Sequence, residues 1–398
     1  MITTEYPGLT AATYEQRVER LRELAAEEGI HTVLLRSRAS LLYFAGVTEL
    51  SAIRPTWMVV PPSGECSIVL PRIETPGVAQ ATWVTDLREW VEWPEPGLSE
   101  DWADPLVGVL EEHGAATDRI GVEHDTVTAA VAHTLTARLP AAELVDAGPL
   151  AERLRRVKEP VELALLRIGG RVAAAQIGAA REVLTAGMPE YELALAARAA
   201  GTRVAAEALG AEYHQISPVV AGVLIMGAGP TRSAMAHPRA STYRIGAGDL
   251  VQLCFCGPNY FTYQLGFDRP IFCDAAFLTG DQRRLLDVGL EATAAALEVV
   301  RPGVAANEVH AAARRVVEDA GVPEQRAHRT GRGVGASEAE APELRESDRT
   351  LLEPGMTFTV EPGVYVPGVG GVRFGDTVAV TDTGYEMLTP APYGWGDR

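Results

Sequence analysis

The segment LLEPGMTFTVEPGVYVPGVGGVRFGDTVAV, residues 351–380, decides the fold of the second half of this 398-residue chain. Short runs of Val, Thr, Phe and Tyr, which favour strands, alternate in it with Pro-Gly and Gly-Gly pairs, which favour turns. The same character extends over residues Gly331–Pro390. This region is therefore predicted to form strands joined by short turns.

Helical periodicity dominates the residues that precede this segment. Apolar residues recur at helical spacing in four stretches, Pro160–Leu184, Glu190–Leu209, Asp281–Val300 and Ala306–Ala320. Helices packed on an antiparallel sheet define an α+β domain. The second domain is predicted to span residues 151–398.

The first 150 residues alternate strand and helix patterns, which predicts a separate α/β domain over residues 1–150. Its predicted helices are Tyr14–Glu28 and Val127–Leu139, and its predicted strands are His31–Leu35, Trp57–Val60, Cys66–Leu70, Ile120–Glu123 and Leu144–Val145. The Pro61–Gly64 turn joins two of these strands as a hairpin.

Charge and composition exclude several classes of function. Acidic residues outnumber basic ones 53 to 35, giving a formal net charge of -18. Such a chain is not expected to bind nucleic acid or membrane surfaces. The segment Met1–Ile30 has no signal-peptide pattern and the four cysteines form no disulfide framework, so a cytoplasmic protein is expected. The single lysine, Lys158, follows Val157, which excludes a phosphate-binding loop of the G-x-x-x-x-G-K type.

Several spaced motifs, taken in order, resemble the pita-bread family of Xaa-Pro peptidases and creatinase-like hydrolases. The segment 351–380 carries three of them, and Gly246–Val251 and His328–Gly335 resemble the family's first metal-binding strand and its histidine loop. Ile53-Arg54-Pro55 lies at a matching place in the smaller domain. The resemblance covers nearly the whole chain and implies a pita-bread catalytic domain.

The resemblance also implies where this chain departs from the family. The peptidases hold two divalent metals with two Asp, one His and two Glu side chains. The matching positions here are Cys254, Leu265 or Gly266, Arg332, Glu361 and Gly375. Only Glu361 is a family ligand, and a guanidinium adds a fixed positive charge where an imidazole would bind metal. No metal and no other cofactor is therefore expected.

Creatinase is the branch of this family that works without metal, and it implies a set of site residues. The expected catalytic residues are His237, in Ala236-His237-Pro238, together with His328, Asp268 and Glu361. The expected substrate-binding residues are Arg54, Tyr263, Cys254, Arg332 and Arg373. In creatinase the arginine of the smaller domain reaches the partner's site, which implies a homodimer with shared active sites.

Structural roles compete with these functional ones. Asp268 and Glu361 could grip a cationic nitrogen of the substrate or form ion pairs with Arg332. Asp376 is expected to hold Arg373 in place. Cys254 and Cys256 should point to the same face of a strand and fill space, although a nucleophilic Cys254 stays open.

These residues support four hypotheses about the function of the protein. The leading hypothesis is a metal-independent hydrolase that cleaves a C–N bond of a small zwitterionic guanidine, amidine or cyclic amide compound, with His237 transferring protons. A metal-free lyase or cyclase of specialised metabolism is the second. An Xaa-Pro-type aminopeptidase and a non-catalytic binding protein are the others.

Overall fold

The computed structural model describes residues 8–48, 54–213, 216–220, 223–323 and 327–396. Residues Met1–Pro7 of the segment Met1–Ile30, and Ile53 of Ile53-Arg54-Pro55, lie outside these ranges. The chain divides into one compact unit of residues 1–155 with 213–216 and a second of residues 156–212 with 217–398. The predicted boundary at residue 150 falls inside a helix, Gly148–Arg156.

The first unit is built on a six-stranded mixed sheet in the order β4-β3-β2-β1-β5-β6. Its strands are β1 Thr32–Leu35, β2 Trp57–Val60, β3 Ser67–Pro71, β4 Asp86–Trp90, β5 Arg119–Val122 and β6 Glu143–Asp146. Its helices are α1 Ala11–Glu27, α2 Arg38–Ser40, α3 Thr75–Ala81, α4 Ala103–Glu112, α5 Ala129–Arg138 and α6 Gly148–Arg156. The sheet is covered on both faces, since two separate apolar clusters pack against it.

The predicted hairpin of this unit is confirmed, because β2 and β3 pair antiparallel with Trp57 opposite Val69. The edge strand β4 and helix α4 were not predicted. Most of β4 is only partly buried and its sequence, DLREW, carries three charges, so it lacks the apolar run that marks a central strand.

The second unit combines four long helices with three antiparallel sheets. The helices are α7 Pro160–Val183, α8 Glu190–Leu209, the short α9 Gly229–Arg232, α10 Gly280–Val299 and α11 Ala306–Ala320. The strands are β7 Val223–Ala228, β8 Val251–Tyr260, β9 Tyr263–Ile271, β10 Gly331–Gly333, β11 Glu340–Leu344, β12 Thr357–Val360, β13 Gly363–Val366, β14 Gly370–Arg373, β15 Asp376–Val380 and β16 Tyr385–Met387. The sheet orders are β7-β8-β9, β11-β10-β12-β15-β16 and β13-β14.

The four predicted helices of this unit are confirmed to within a residue at each end. Helices α10 and α11 pack their apolar faces on the strands of the tail, and this cluster forms the core of the unit. The strands predicted within residues 331–390 are therefore fixed by burial under these helices as well as by their glycine turns.

Helix α7 is long and apolar enough to meet the length and hydropathy criteria for a membrane span. Half of its most apolar window is buried inside the protein, and the helix packs on β8 and β9. No other helix among the described residues meets these criteria. The cytoplasmic location stays a prediction.

Candidate active site

A cavity of about 360 Å³ opens in the second unit and brings together most of the predicted site residues. Its lining consists of Ile225, His237, Arg239, Cys256, His328, Arg329, Arg332, Glu338, Ala339, Glu361 and Arg373. Four arginines against two glutamates make this lining cationic in a protein whose net charge is -18. A larger cavity of about 820 Å³ lies in the first unit, but none of the predicted site residues lines it.

The paired strands β8 and β9 form the floor of the site. Their antiparallel register places Cys254 opposite Asp268 and Cys256 opposite Gly266. Because side chains alternate along a strand, Cys254 and Cys256 share one face of β8. The opposite wall comes from the second sheet, in which Arg332 lies on β10 and Glu361 directly follows β12.

Arg332 forms an ion pair with Glu361 at the cavity wall, through its Nη1 and Oε1 of the carboxylate. Its Nε donates to the carbonyl oxygen of Glu338 at 2.7 Å, which fixes the guanidinium plane. Burial alone would raise the pKa of Glu361, but the adjacent Arg332 and Arg373 guanidiniums outweigh it and hold the pKa at about 2. Glu361 is therefore ionised at neutral pH.

Arg373 is held by Asp268 and not by Asp376, so the predicted partner was wrong. The Nε of Arg373 lies 2.9 Å from Oδ1 of Asp268, and both side chains are almost fully buried. Asp376 instead pairs with Arg269, whose Nη2 is 2.9 Å from its Oδ1. Neighbouring residues of a strand point to opposite faces, so Asp268 and Arg269 cannot serve the same site.

Asp268 and Glu361 are two buried carboxyl groups, and one of them is protonated at neutral pH. Oδ2 of Asp268 and Oε2 of Glu361 are both buried, and neither receives a hydrogen bond from a donor group among the described residues. The two carboxyl groups repel each other electrostatically when both are ionised, and a proton on one of them removes that repulsion. Burial raises the pKa of Asp268 to about 8, with Arg373 opposing and Glu361 adding to the rise. Asp268 is accordingly the protonated member.

The residues at the family's metal positions do not fit a divalent metal. Arg332 places a cation where the histidine ligand would lie, and its partner Glu361 has one oxygen already engaged. A Cβ atom on Gly375 would overlap the Asp268 carboxylate, so this backbone position leaves no room for a glutamate side chain. Among the residues that the structure describes, no group of three or more His, Cys, Asp and Glu side chains is arranged to hold an ion.

The two predicted catalytic histidines have different environments. His237 follows helix α9 in an exposed bend at the cavity. Its ring forms no hydrogen bond with another group among the described residues. Burial and the neighbouring Arg373 lower its pKa, so its ring is neutral near pH 7. His237 can therefore accept a proton from a bound molecule.

His328 has both ring nitrogens engaged within the protein. Its Nδ1 lies 2.6 Å from the carbonyl oxygen of Arg329, so Nδ1 carries the hydrogen. Nε2 then accepts from the Tyr365 hydroxyl at 2.9 Å. Burial and Arg373 lower the pKa of His328 to about 4. This geometry favours a structural role over the predicted catalytic one.

Cys256, which was not predicted as a site residue, lines the cavity, whereas the predicted Cys254 is fully buried beneath it. The two sulfur atoms lie 3.1 Å apart. The hydrogen bond from Cys254 lowers the pKa of Cys256 to about 7 despite burial, while burial raises the pKa of Cys254. The C-x-C spacing was the available signal, and only the packing around β8 shows which of the two thiols the cavity reaches.

The remaining predicted substrate-binding residues, Tyr263 and Arg54, are not among the residues that line this cavity. Tyr263 is buried at the start of β9. Arg54 belongs to the first unit, where its Nε lies 2.8 Å from Oε2 of Glu92. Arg239 and Arg329, which were not predicted, do line the cavity. Both flank a predicted histidine region, but no motif distinguishes them from surface arginines.

Comparison with known proteins establishes the class to which this fold and site belong. The profile of metallopeptidase family M24 matches residues 164–382, and that of the creatinase/prolidase N-terminal domain matches residues 17–157. The chain therefore belongs to this family of enzymes. The predicted family and the predicted combination of an α/β N-terminal domain with a pita-bread catalytic domain are confirmed.

Individual relatives match over nearly their full length. The chain is 32% identical to the agropine synthesis cyclase of Rhizobium rhizogenes and 31% identical to the probable dipeptidase PepE of Mycobacterium tuberculosis, covering 96% of both chains in each case. The crystal structure of dipeptidase PepE from Mycobacterium ulcerans matches with a TM-score of 0.81 at 29% identity, covering 96% of this chain and 97% of that one. The prolidase from Pyrococcus horikoshii matches with a TM-score of 0.79 at 24% identity, covering 96% and 99%, which shows the shared fold alone.

Proposed function

We propose that this protein is a metal-independent acid–base enzyme that closes a ring in a small, carboxylate-bearing nitrogen compound. The observation that carries the proposal is a pair of buried arginines at the site, Arg332 at a family metal position beside the retained Glu361, and Arg373 beside Asp268. Their guanidinium groups supply fixed positive charge where peptidases of the family place metal ions. The similarity to a cyclase over 96% of both chains supports ring closure.

Arginine side chains would bind the substrate carboxylate. Nη2 of Arg373 is buried, lies in a residue that lines the cavity, and donates to no acceptor among the described residues. A buried donor without an acceptor is costly, so a carboxylate oxygen of a ligand would satisfy it. Arg239 and Arg329 add positive charge to the same lining.

His237 would carry the proton transfers. In ring closure a hydroxyl or amino group of the substrate attacks its own carboxyl carbon, and the C–O bond to the departing oxygen breaks. His237 takes the proton from the attacking group and returns it to the departing oxygen, which takes a second proton from solvent and leaves as water. The arginines would stabilise the negative charge on the carboxyl oxygen in the transition state. A cavity of about 360 Å³ can hold the two ends of one small molecule together.

Hydrolysis of a C–N bond in a cyclic amide, amidine or guanidine group is the second candidate. It uses the same residues in the reverse sense, with His237 activating water. The relatives named as dipeptidases favour it, since a dipeptidase hydrolyses a C–N bond. Ring closure and hydrolysis would use the same site residues, so the two reactions are distinguished by their products.

The experiment compares open-chain hydroxy and amino acids, their cyclic esters and amides, and Xaa-Pro dipeptides as substrates. Each is incubated with purified protein with and without a chelator, and mass spectrometry detects the gain or loss of one water. Chelator-insensitive loss of water from an open-chain acid supports ring closure, and gain of water by a cyclic compound supports the hydrolase. Dipeptide cleavage that requires added manganese or cobalt would overturn the proposal.

The proposal includes a homodimer in which Arg54 of one copy completes the site of the other. Arg54 is about one-quarter exposed in this chain and already pairs with Glu92 at the surface. Light scattering of the native protein tests the assembly. A monomer with full turnover, or unchanged turnover in Arg54→Ala, would contradict the shared site.

A further inference from the structure

The pair of thiols on β8 has a geometry that the proposed acid–base reaction does not use. The sulfur atoms of Cys254 and Cys256 lie 3.1 Å apart on one face of the strand, with the thiol of Cys254 fully buried and that of Cys256 at the cavity. The chain has four cysteines, and the other two, Cys66 and Cys273, lie elsewhere with no sulfur partner.

Cys256 is the thiol best suited to react with a small electrophile. Its side chain lines the cavity, so a molecule as small as a peroxide can reach it. Cys254, Arg332 and Arg373 stabilise the thiolate, and Glu361 opposes it, with a net lowering of the pKa of Cys256 to about 7. Thiolates, and not thiols, attack electrophilic oxygen and carbon.

Cys254 is placed to complete an oxidation that begins at Cys256. Residues two apart on a strand have Cα atoms about 6.5 Å apart, within the range that a disulfide bridges. The strand register shifts just beyond Cys256, where Gly257 has a φ of 79°, so the backbone at the outer cysteine departs from a regular strand. The Cys254 thiol is already in van der Waals contact with the Cys256 thiol, so no large movement of either side chain is needed for them to react.

We propose that Cys256 and Cys254 form a reversible thiol-oxidation site whose ligand class is hydroperoxides. The Cys256 thiolate attacks the outer peroxide oxygen, the O–O bond breaks, and hydroxide or alkoxide leaves with a cysteine sulfenic acid behind. The Cys254 sulfur then attacks that sulfenic sulfur, the S–O bond breaks, and water leaves with the Cys254 proton. Two thiols are oxidised to one disulfide, and one peroxide is reduced.

Oxidation at this position changes the electrostatics of the cavity. The thiolate is the one sulfur anion beside Arg332 and Arg373, and a disulfide is neutral. Its formation leaves the buried guanidiniums with less compensating charge and moves the floor of the cavity. We therefore expect the oxidised protein to lose turnover and to regain it on treatment with dithiothreitol.

The experiment treats the native protein with hydrogen peroxide at a slight molar excess and then blocks remaining thiols with iodoacetamide. Peptide mapping should show a Cys254–Cys256 disulfide, with Cys66 and Cys273 alkylated as in the untreated protein. Cys66 and Cys273 are internal controls, because burial raises the pKa of both thiols, that of Cys66 to about 11. Dithiothreitol should return the β8 peptide, which carries both cysteines, to the doubly alkylated form.

Two variants separate the roles of the thiols. In Cys254→Ser, which keeps a hydroxyl donor, Cys256 should stop at the sulfenic acid and give a dimedone adduct. In Cys256→Ser no adduct should form at Cys254. Peptide mapping of the native protein decides the question if either variant fails to fold. Oxidation of Cys66 or Cys273 first, or of Cys256 to the sulfinic acid without a disulfide, would overturn the proposal.

Discussion

The Asp268 carboxylate fills the space in front of Gly375 so closely that a Cβ atom at residue 375 would overlap its Oδ2. The two residues also exchange backbone hydrogen bonds, from the Asp268 amide at 3.0 Å and from the Gly375 amide at 3.1 Å. The carboxylate in the site therefore comes from β9, and the residue that faces it must be glycine.

Gly375→Ala is expected to destabilise the protein by roughly 1–3 kcal/mol, the usual cost of overpacking a buried site. The added methyl group must displace Asp268 and weaken the hydrogen bond that it accepts from Arg373. Gly384→Ala is the matched control, because a Cβ there meets no atom within 4 Å. Chemical denaturation measures both, and equal stabilities of the two variants would contradict the close contact.

Asp268→Asn should change how stability depends on pH. The native protein keeps the Asp268 proton up to about pH 8, whereas an unfolded aspartate loses it near about pH 4. Between these values the folded state binds more protons, so this group makes the free energy of unfolding fall as pH rises. An asparagine carries no such proton but can still accept a hydrogen bond from Arg373.

We therefore expect the stability of the native protein relative to Asp268→Asn to fall by up to about 1.4 kcal/mol per pH unit between about pH 5 and 7. Urea unfolding at several pH values measures this difference. Asp268→Leu, which lacks the hydrogen-bonding groups, should be much less stable than Asp268→Asn. A pH-independent difference would show that Asp268 is ionised in the folded protein.

Removing Arg332 should destabilise the protein more than removing both members of its ion pair. Arg332→Met leaves the Glu361 carboxylate buried without its main cation, a loss of about 3 kcal/mol for such a pair. The double variant Arg332→Met with Glu361→Leu buries no uncompensated charge. Unfolding of the two single variants and the double variant closes a thermodynamic cycle, and additive effects would rule out the coupling.

The two histidines should respond in opposite ways to substitution by asparagine. His237→Asn should lower kcat by roughly 10²–10⁴-fold, because asparagine cannot transfer the proton. The Tm should not change, because the His237 ring is exposed and forms no hydrogen bond with another described residue. His328→Asn should lower the Tm, because both ring nitrogens bind protein groups. Tm and kcat are measured on the same preparations. A folded His237→Asn protein with native turnover would exclude the proposed base.

Metal ions should have no effect on stability or turnover. A ligand that binds only the folded state raises the Tm, so added manganese, zinc or cobalt should leave the Tm unchanged if the site takes no metal. Chelator treatment should likewise preserve kcat. Arg332→His removes the repelling cation but leaves Cys254 and Gly375 in place, and it is expected not to gain manganese binding. Stoichiometric metal in the purified protein would contradict this prediction.

The long helices and the glycine-punctuated strands of the second unit could be predicted from sequence because their periodicity matches their burial. Strand β4 could not, because its charged edge position carries no apolar pattern. The family motifs also located the positions where a metal-binding side chain is absent, since those positions are defined by local sequence order. The hydrogen-bond and ion-pair partners of the charged residues at the site could not be predicted in the same way.

The sequence by itself determined the family, the order of the elements and the presence of Arg332 and Gly375 at metal positions. Only the tertiary structure decided that Arg373 pairs with Asp268, that Arg269 pairs with Asp376, and that Cys256 lines the cavity while Cys254 is buried beneath it. Periodicity tells which side chains share a face of a strand, but ion-pair partners come from strands about 105 residues apart. Their choice depends on sheet register and on burial, which penalises any charge left without a partner.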